Sequence, residues 1–249
     1  MMTLNDKVAL VTGGAGGLGA AICEQLAAHG ASVVVGYRQS RDLATALAAR
    51  LPGPGQHVAL AAPVTDSAAL QVTAMEIERH YARCDILVNC AGITRFVPHA
   101  ELNALEDPVI DEILATNVRG PFATVRALRS LLERNAGSLV VNISSIAAVT
   151  AMGSNVIYCA SKAALDNLTK SLARALAPAI RVVAISPGLV DTNFIQQLDL
   201  HWREEQIARC PLQRLANPHE VGMAVVAMYT AMTFTTGAVI SVDGGRQLY

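Results

Sequence analysis

The sequence predicts an α/β fold: a doubly wound parallel sheet of about seven strands with helices on both faces. Three observations carry this. Seven short β-branched runs alternate with six longer Ala/Leu-rich segments of helical period. The runs are almost continuously apolar, as strands are when both faces are covered. The first run is followed directly by a glycine-rich turn that opens the first helical segment. The 249 residues, 52% apolar and 16% charged, suffice for one large core. No linker, repeat or low-complexity tract divides them, so residues 1–249 read as one domain.

The first strand, residues 8–11, leads into Thr12-Gly13-Gly14-Ala15-Gly16-Gly17-Leu18-Gly19, and a helical pattern runs over 18–29. Glycines here let the backbone approach a pyrophosphate, and the helix N-terminus adds N–H groups and positive dipole. The turn therefore points to nucleotide binding rather than to a plain flexible connection. The second strand, 32–35, ends in Gly36-Tyr37-Arg38-Gln39-Ser40. An NAD site places a carboxylate here for the ribose hydroxyls, and the first acid, Asp42, lies inside the next helix, 41–51. Either Arg38 pairs with a 2′-phosphate while Ser40 donates to it, or Arg38 is a solvated loop charge. The first reading predicts NADP(H), with NAD(H) as the alternative. The exposed turn Pro52-Gly53-Pro54-Gly55 leads to the third strand, 58–60, and the helix 67–82.

The fourth strand, 86–88, runs into Asn89-Cys90-Ala91-Gly92, small residues that let the chain pass close beneath a ligand. Asn117 falls inside a helical stretch over 109–135; on its own it reads as a helix asparagine satisfied by backbone. The fifth strand, 139–143, ends at Ser144-Ser145. Neighbours in a strand point to opposite faces, so one serine faces the site. The helix 155–177 carries Tyr158 and Lys162 on one face, one turn apart. An ammonium so placed stabilises a phenolate and suits the pair to acid–base chemistry. The sixth strand, 182–185, precedes Pro187-Gly188-Leu189-Val190-Asp191-Thr192, and a helix over 218–232 and a last strand over 239–242 complete the chain.

In this order and spacing, Thr12-Gly13-x-x-x-Gly17-x-Gly19, Asn89-Cys90-Ala91-Gly92, Asn117, Ser145, Tyr158-x-x-x-Lys162 and Pro187-Gly188 with Thr192 form one constellation. It resembles the short-chain dehydrogenase/reductase family in its compact single-domain form, and within it the β-ketoacyl-acyl-carrier-protein reductases. The resemblance covers essentially the whole chain. It implies a Rossmann-type sheet and interconversion of a ketone and a secondary alcohol by hydride transfer. It implies a catalytic group of Asn117, Ser145, Tyr158 and Lys162. Tyr158 moves the proton, and Lys162 supports it and holds the nicotinamide ribose. Ser145, rather than Ser144, bonds the substrate oxygen, and Asn117 holds a water beside the lysine. Cofactor contacts are implied at Gly13, Gly17, Leu18, Gly19, Val64, Asn89, Ala91, Gly92, Pro187, Gly188, Val190 and Thr192, besides Arg38, Ser40, Tyr158 and Lys162. Asn89 is mainly a brace of the sheet.

The chain departs from the family at two cofactor positions. Gly16 stands where NADP-dependent relatives often carry an arginine or lysine, and Pro63 stands where relatives carry an adenine-reading aspartate. Weaker adenine recognition is expected. The resemblance further implies a lid over 193–211 and a homotetramer paired through the two long helices. Trp202 either lines the pocket or anchors the lid. Ala91-Gly92-Ile93-Thr94-Arg95 is similar to the carrier-dependent reductases, and Arg129 and Arg174 fall where those dock an acidic carrier; Phe96–Glu101 is unlike them. The first substrate reading is thus a carbonyl or alcohol carried on acyl-carrier protein or CoA. The second is a sugar, polyol, cyclic ketone or other alcohol. A cofactor-binding sensor that kept the fold and lost the chemistry comes third.

Net charge is −1 with no basic block, which excludes nucleic acid and acidic membranes as expected partners. The five cysteines form no Cys-x-x-Cys pair, so neither a disulfide framework nor a metal site is expected. No apolar run has membrane-spanning length and the start has no secretory layout. The chain reads as soluble and cytoplasmic.

Overall fold

The computed structural model describes residues 3–197 and 199–248. Seven strands form one parallel sheet in the order β3-β2-β1-β4-β5-β6-β7. They are β1 (Val8–Thr12), β2 (Ser32–Tyr37), β3 (Val58–Ala61), β4 (Ile86–Asn89), β5 (Ser138–Ile143), β6 (Ile180–Pro187) and β7 (Val239–Val242). The intervening helices are α1 (Gly17–Ala28), α2 (Arg41–Arg50), α3 (Ser67–Tyr81), α4 (Asp107–Leu114), α5 (Gly120–Glu133), α6 (Ala147–Thr150), α7 (Val156–Leu176), α8 (Asn193–Gln196), α9 (Leu200–Ala208) and α10 (Pro218–Thr230). The strand order reverses between β1 and β4, so a crevice opens there outside the carboxyl ends of the strands.

The apolar runs divide by alternation. Val11, Val35, Val88, Val141 and Val183 meet Ile22 and Leu26 of α1, Leu47 of α2 and Val225 of α10 on one face. Their neighbours Leu10, Val34, Leu87, Val140 and Val182 meet Ile77 of α3, Leu128 and Leu131 of α5 and Leu172 of α7 on the other. Period-2 geometry sends successive side chains to opposite layers, and both layers are helical, so no polar alternation survives in the strands.

The expected helix over 109–135 is not continuous. It begins two residues earlier as α4, breaks into a π-turn over Ala115–Arg119, and resumes as α5. Pro121 supplies no N–H for the helical bond to residue 117, and Asn117 turns its side chain out of the helix to a neighbouring loop. Five elements arise in stretches read as irregular: 3₁₀ turns at Leu102–Ala104 and Arg246–Leu248, α6, α8 and α9. The last two occupy the expected lid span, whose Leu198 lies outside the described residues.

At the amino ends of the central strands, Asp85 is buried. One carboxylate oxygen accepts from the Val8 N–H at 2.9 Å, and the pair is forked by Arg83 at 2.9 and 2.6 Å. This pins β1 to β4 opposite the crevice. Asp85→Ala leaves the Val8 N–H without its buried acceptor and is expected to lower unfolding stability by about 3 kcal/mol in urea titrations. An unchanged midpoint would remove the pin from the account.

Candidate active site

Two polar ladders build the floor of the site. In register, Thr12 of β1 lies beside Asn89 of β4, and Asn89 beside Asn142 of β5. The Thr12 hydroxyl accepts from the Cys90 and Ala91 N–H groups, both at 3.1 Å, and fixes the chain leaving β4. The Asn89 amide donates to Asn142 at 2.9 Å, and the Asn142 amide donates to the Thr169 hydroxyl on α7 at 2.8 Å. The sheet's carboxyl edge is thus bonded side chain to side chain out to the helix that carries Tyr158.

Above this floor runs a cleft of about 350 Å³, lined by the turn Gly13–Gly19, by Tyr37–Ser40, by Val64, and by Cys90–Ile93. Gly13 has φ +64°, and a Cβ on Gly19 would stand 2.2 Å from the Gly13 carbonyl oxygen. The turn is closed too tightly for side chains at Gly13 and Gly19, and the N-terminus of α1 stands behind it. Arg38 and Ser40 line the opposite end. Arg38 meets Glu112 at 3.7 Å with both side chains exposed, a pair worth under about 1 kcal/mol. Ser40 precedes α2 and spends no side-chain bond on capping it. Asp66, the nearest acid after β3, is engaged as the N-cap of α3.

The four expected catalytic residues come from four places in the fold. Ser145 follows β5, and its half-buried hydroxyl accepts from the Ala147 N–H at 3.1 Å. Tyr158 and Lys162 lie in the first turns of α7. Asn155 caps that helix by accepting from the Tyr158 N–H at 2.7 Å. The buried Lys162 ammonium donates to the Ile143 carbonyl at 2.8 Å and sits 5.7 Å from the centre of the Tyr158 ring. Asn117, buried in the π-turn, accepts from the Ile93 N–H at 2.9 Å and donates to the Ile93 carbonyl and to Ser161. A Cβ on Gly92 would lie 3.4 Å from Asn117 Oδ1 and 3.7 Å from Lys162 Nζ. Gly92 of the cleft lining therefore lies beside Lys162 and Asn117, while Asn117, Ser145, Tyr158 and Lys162 are not themselves lining residues.

Other expected contacts fall differently. Asn89 does not line the cleft; its buried side chain is turned into the sheet toward Asn142, so this residue braces rather than touches. The Asn117 side chain is spent on Ile93 and Ser161, which makes it a latch on the loop after β4. Thr192 lies over Gly17, 3.4 Å from the position of a Cβ there, Val190 is buried, and Gly188 is pressed against Asp243. Cys90 does line the cleft, but burial pushes its thiol up to about 12, as it does for Cys84, so neither offers a thiolate near neutrality. A larger cavity of about 450 Å³ lies around Cys210, Glu220 and Arg246 and holds none of the expected residues.

Sequence reasoning passed over Asn155 and Thr116. Asn155 also donates to the Arg95 carbonyl at 2.7 Å and so ties the loop after Gly92 to the start of α7. An asparagine three residues before the tyrosine was the available cap signal. Thr116 lines the cleft from a π-turn that no helical period reveals. On the outer side, Val97 and Ser154 join by backbone, Thr94 bonds Ser154, and Gly153 rests on the Tyr158 ring. Phe96, 75% exposed, and the exposed Val149 and Met152 stand on the two loops so joined and on α6.

Among the described residues, no three His, Cys, Asp or Glu side chains could hold a metal ion, and no helix is long and apolar enough to cross a membrane. Asn117→Ala strips both Ile93 backbone groups of buried partners. It is expected to cost about 2–4 kcal/mol in chemical unfolding, whereas Asn117→Asp, which still accepts from Ile93, costs less. Equal losses would refute the latch.

Comparison with known proteins bears directly on this geometry. The profile of the family described as enoyl-(acyl carrier protein) reductase matches residues 13–247. A protein of Streptomyces violaceoruber assigned as ketoacyl reductase 2 of the granaticin polyketide synthase is 40% identical over 97% of this chain and 96% of its own. The D-threitol dehydrogenase of Mycolicibacterium smegmatis is 37% identical over 97% and 93%, and the 3-oxoacyl-acyl-carrier-protein reductase of Thermotoga maritima is 32% identical over 98% and 99%. With its glycine turn, its Tyr158/Lys162 helix and a match of this length, the chain belongs to the short-chain dehydrogenase/reductase family of oxidoreductases.

Proposed function

We propose that this oxidoreductase uses NADP(H) to interconvert a ketone and a secondary alcohol, and that its substrate is a 3-oxoacyl thioester carried on acyl-carrier protein or CoA. The observation that carries the reading is the meeting of Lys162, beside Tyr158, with Gly92 in the lining of a glycine-walled cleft. That cleft fits a dinucleotide: a Cβ at Gly13 or Gly19 would crowd neighbouring backbone, a helix N-terminus backs the turn, and the cleft lies at the switch in strand order.

Bound there, the nicotinamide supplies or accepts the hydride. Gly13, Gly17, Leu18 and Gly19 would hold the pyrophosphate; Val64 would edge the adenine. Ala91 and Gly92 would pass beneath the cofactor, and Pro187, Gly188, Val190 and Thr192 would close its nicotinamide end. Tyr158 Oη gives its proton to the substrate oxygen in reduction and takes it back in oxidation. Ser145 donates to the same oxygen and stabilises the charge that develops on it. The Lys162 ammonium supports the phenolate. Asn117 keeps Gly92 and Ile93 against Lys162 through its latch on Ile93. Arg38 and the uncommitted Ser40 hydroxyl at the N-terminus of α2 take the 2′-phosphate, and no carboxylate stands at the end of β2 to repel it.

The acyl reading draws on the apolar rim of Phe96, Val149 and Met152 beside Tyr158, a poor match for a polyhydroxy substrate, and on the ketoacyl reductase relatives. A polyol is the second reading, favoured by the threitol dehydrogenase relative. Carrier docking would use Arg174 more readily than Arg129, which already pairs with Glu133 at 2.7 Å. α8 and α9 form the lid, pinned to the body where Arg203 meets Asp191 at 3.1 Å. In this reading the α5 and α7 helices pair subunits into a homotetramer, and the five free cysteines support a reducing, cytoplasmic setting.

Tyr158→Phe is expected to lower kcat for NADPH-dependent reduction of acetoacetyl-CoA at least 100-fold while the NADPH Kd stays within about threefold. Wild-type turnover in that variant would refute the site. Arg38→Ala should raise the NADPH KM at least tenfold and leave the NADH KM nearly unchanged. A wild-type preference for NADH would overturn the cofactor reading.

A further inference from the structure

Helix α7 presents one stripe to the end of β5, with Lys162, Asp166 and Thr169 at spacings of four and three residues. Each faces a consecutive residue of that strand end. Thr169 accepts from the Asn142 amide at 2.8 Å, and Lys162 donates to the Ile143 carbonyl at 2.8 Å. The third rung is Asp166 with Ser144, whose own N–H is already bonded to the Ile185 carbonyl at 2.7 Å. Asp166 is 8% exposed and Ser144 4%. Ser144, next after β5, shares the face of Asn142, and Asp166 lies one turn of α7 from Thr169, so the two side chains are turned toward the same layer; neither Asp166 Oδ1 nor Ser144 Oγ has a hydrogen-bond partner among the described residues. A buried carboxyl costs stability unless it is paired, and a leucine would fill the same stripe without that cost. Burial raises the pKa of this carboxyl; the Ser144 hydroxyl, Lys170 and Lys162 act in the opposite direction.

We propose that Asp166 and Ser144 form a buried clamp that sets Ser145 against Tyr158, making both of them positioning residues for the hydride-transfer site. The inference rests on the assignment of Ser145, Tyr158 and Lys162 given above. Ser144 is covalently next to Ser145, and Asp166 is one turn from Lys162 and two turns from Tyr158. Gripping Ser144 therefore fixes the strand end that carries one hydrogen-bond donor relative to the helix that carries the proton donor. The cofactor's phosphate and adenine contacts lie on β1, β2 and β3, away from this rung, so the clamp acts on kcat and not on cofactor affinity. Misplacing a reacting group by a fraction of an ångström to an ångström costs up to about 100-fold in rate.

The test uses the full-length enzyme with either NADPH and acetoacetyl-CoA or NADP+ and D-threitol, whichever pair the wild type turns over faster. Ser144→Ala and Asp166→Ala should each lower kcat roughly 10- to 100-fold. The NADPH Kd, read by fluorescence titration, should stay within about twofold. The double variant should lose no more than either single one, because the two residues act as one contact. Asp166→Asn, which can still bond Ser144, should keep kcat within about threefold of wild type. Unchanged kcat in the alanine variants would overturn the clamp, as would multiplicative losses in the double variant or a parallel loss of NADPH affinity. A loss in Asp166→Asn equal to that in Asp166→Ala would also overturn it, by making charge rather than the hydrogen bond the active property. Tyr158→Phe run in parallel separates the two failures: full turnover there sinks the site assignment itself, and abolished turnover there beside intact alanine variants sinks only the clamp.

Discussion

The Lys162 ammonium on the Ile143 carbonyl and the Asn142 amide on the Thr169 hydroxyl, each at 2.8 Å, join α7 to the end of β5. Everything at the site hangs from this junction. The strand end brings Ser145; the helix brings Tyr158; the lysine that makes the bond also reaches the Gly92 backbone at the cleft. Both bonds are buried, where an unmet partner costs about 1–3 kcal/mol, so the junction is stiff as well as stable. Asn155 at the head of α7 extends the same grip to the loop after Gly92. The exposed apolar Phe96 and Met152 thus stand on segments tied to the start of α7.

The cleft is shaped by what is missing from it. Glycine at positions 13 and 19 removes the side chains that would fill the turn, and the backbone and helix dipole of α1 remain to face an anion. The end of β2 has no acid, and β3 ends in alanines and Pro63. On the proposed reading, adenosine recognition at this end falls to backbone, to Val64 and to the Arg38 and Ser40 side chains. Arg38 is held by only one loose, solvated ion pair, so redirecting it to a phosphate costs little.

The fold was legible because both faces of the sheet are covered. Continuous apolar runs gave the strands, and all seven appear within two residues of their expected bounds. The tyrosine–lysine pair was legible from helical spacing alone. The break at Asn117 was not, because the apolar period of 109–135 runs through it. What interrupts the helix is Pro121 together with a side-chain bond to Ile93, a residue 24 positions away that no local pattern can show. Asn89 was legible as a brace of the sheet, but what it braces was not, since its partner Asn142 is 53 residues on. Helices α8 and α9, in the span expected to be a lid, escaped notice since short helices carry too little period to register. The Ser144/Asp166 rung could not be read either; a serine pair at a strand end and an aspartate mid-helix acquire meaning only when β5 and α7 are seen side by side.

The central claim is that Tyr158, Ser145 and Lys162 serve a carbon centre that exchanges hydride with a nicotinamide in the glycine-walled cleft. It is tested most directly by isotope transfer. NADPH deuterated at the reactive C4 position is turned over with a 3-oxoacyl thioester, and the product is analysed by mass spectrometry and NMR. The account predicts one deuterium per product molecule, bound to the carbon that bears the new hydroxyl, with none exchanged into water. Deuterium lost to solvent, or a tightly bound cofactor that delivers none to any carbonyl compound, would contradict it.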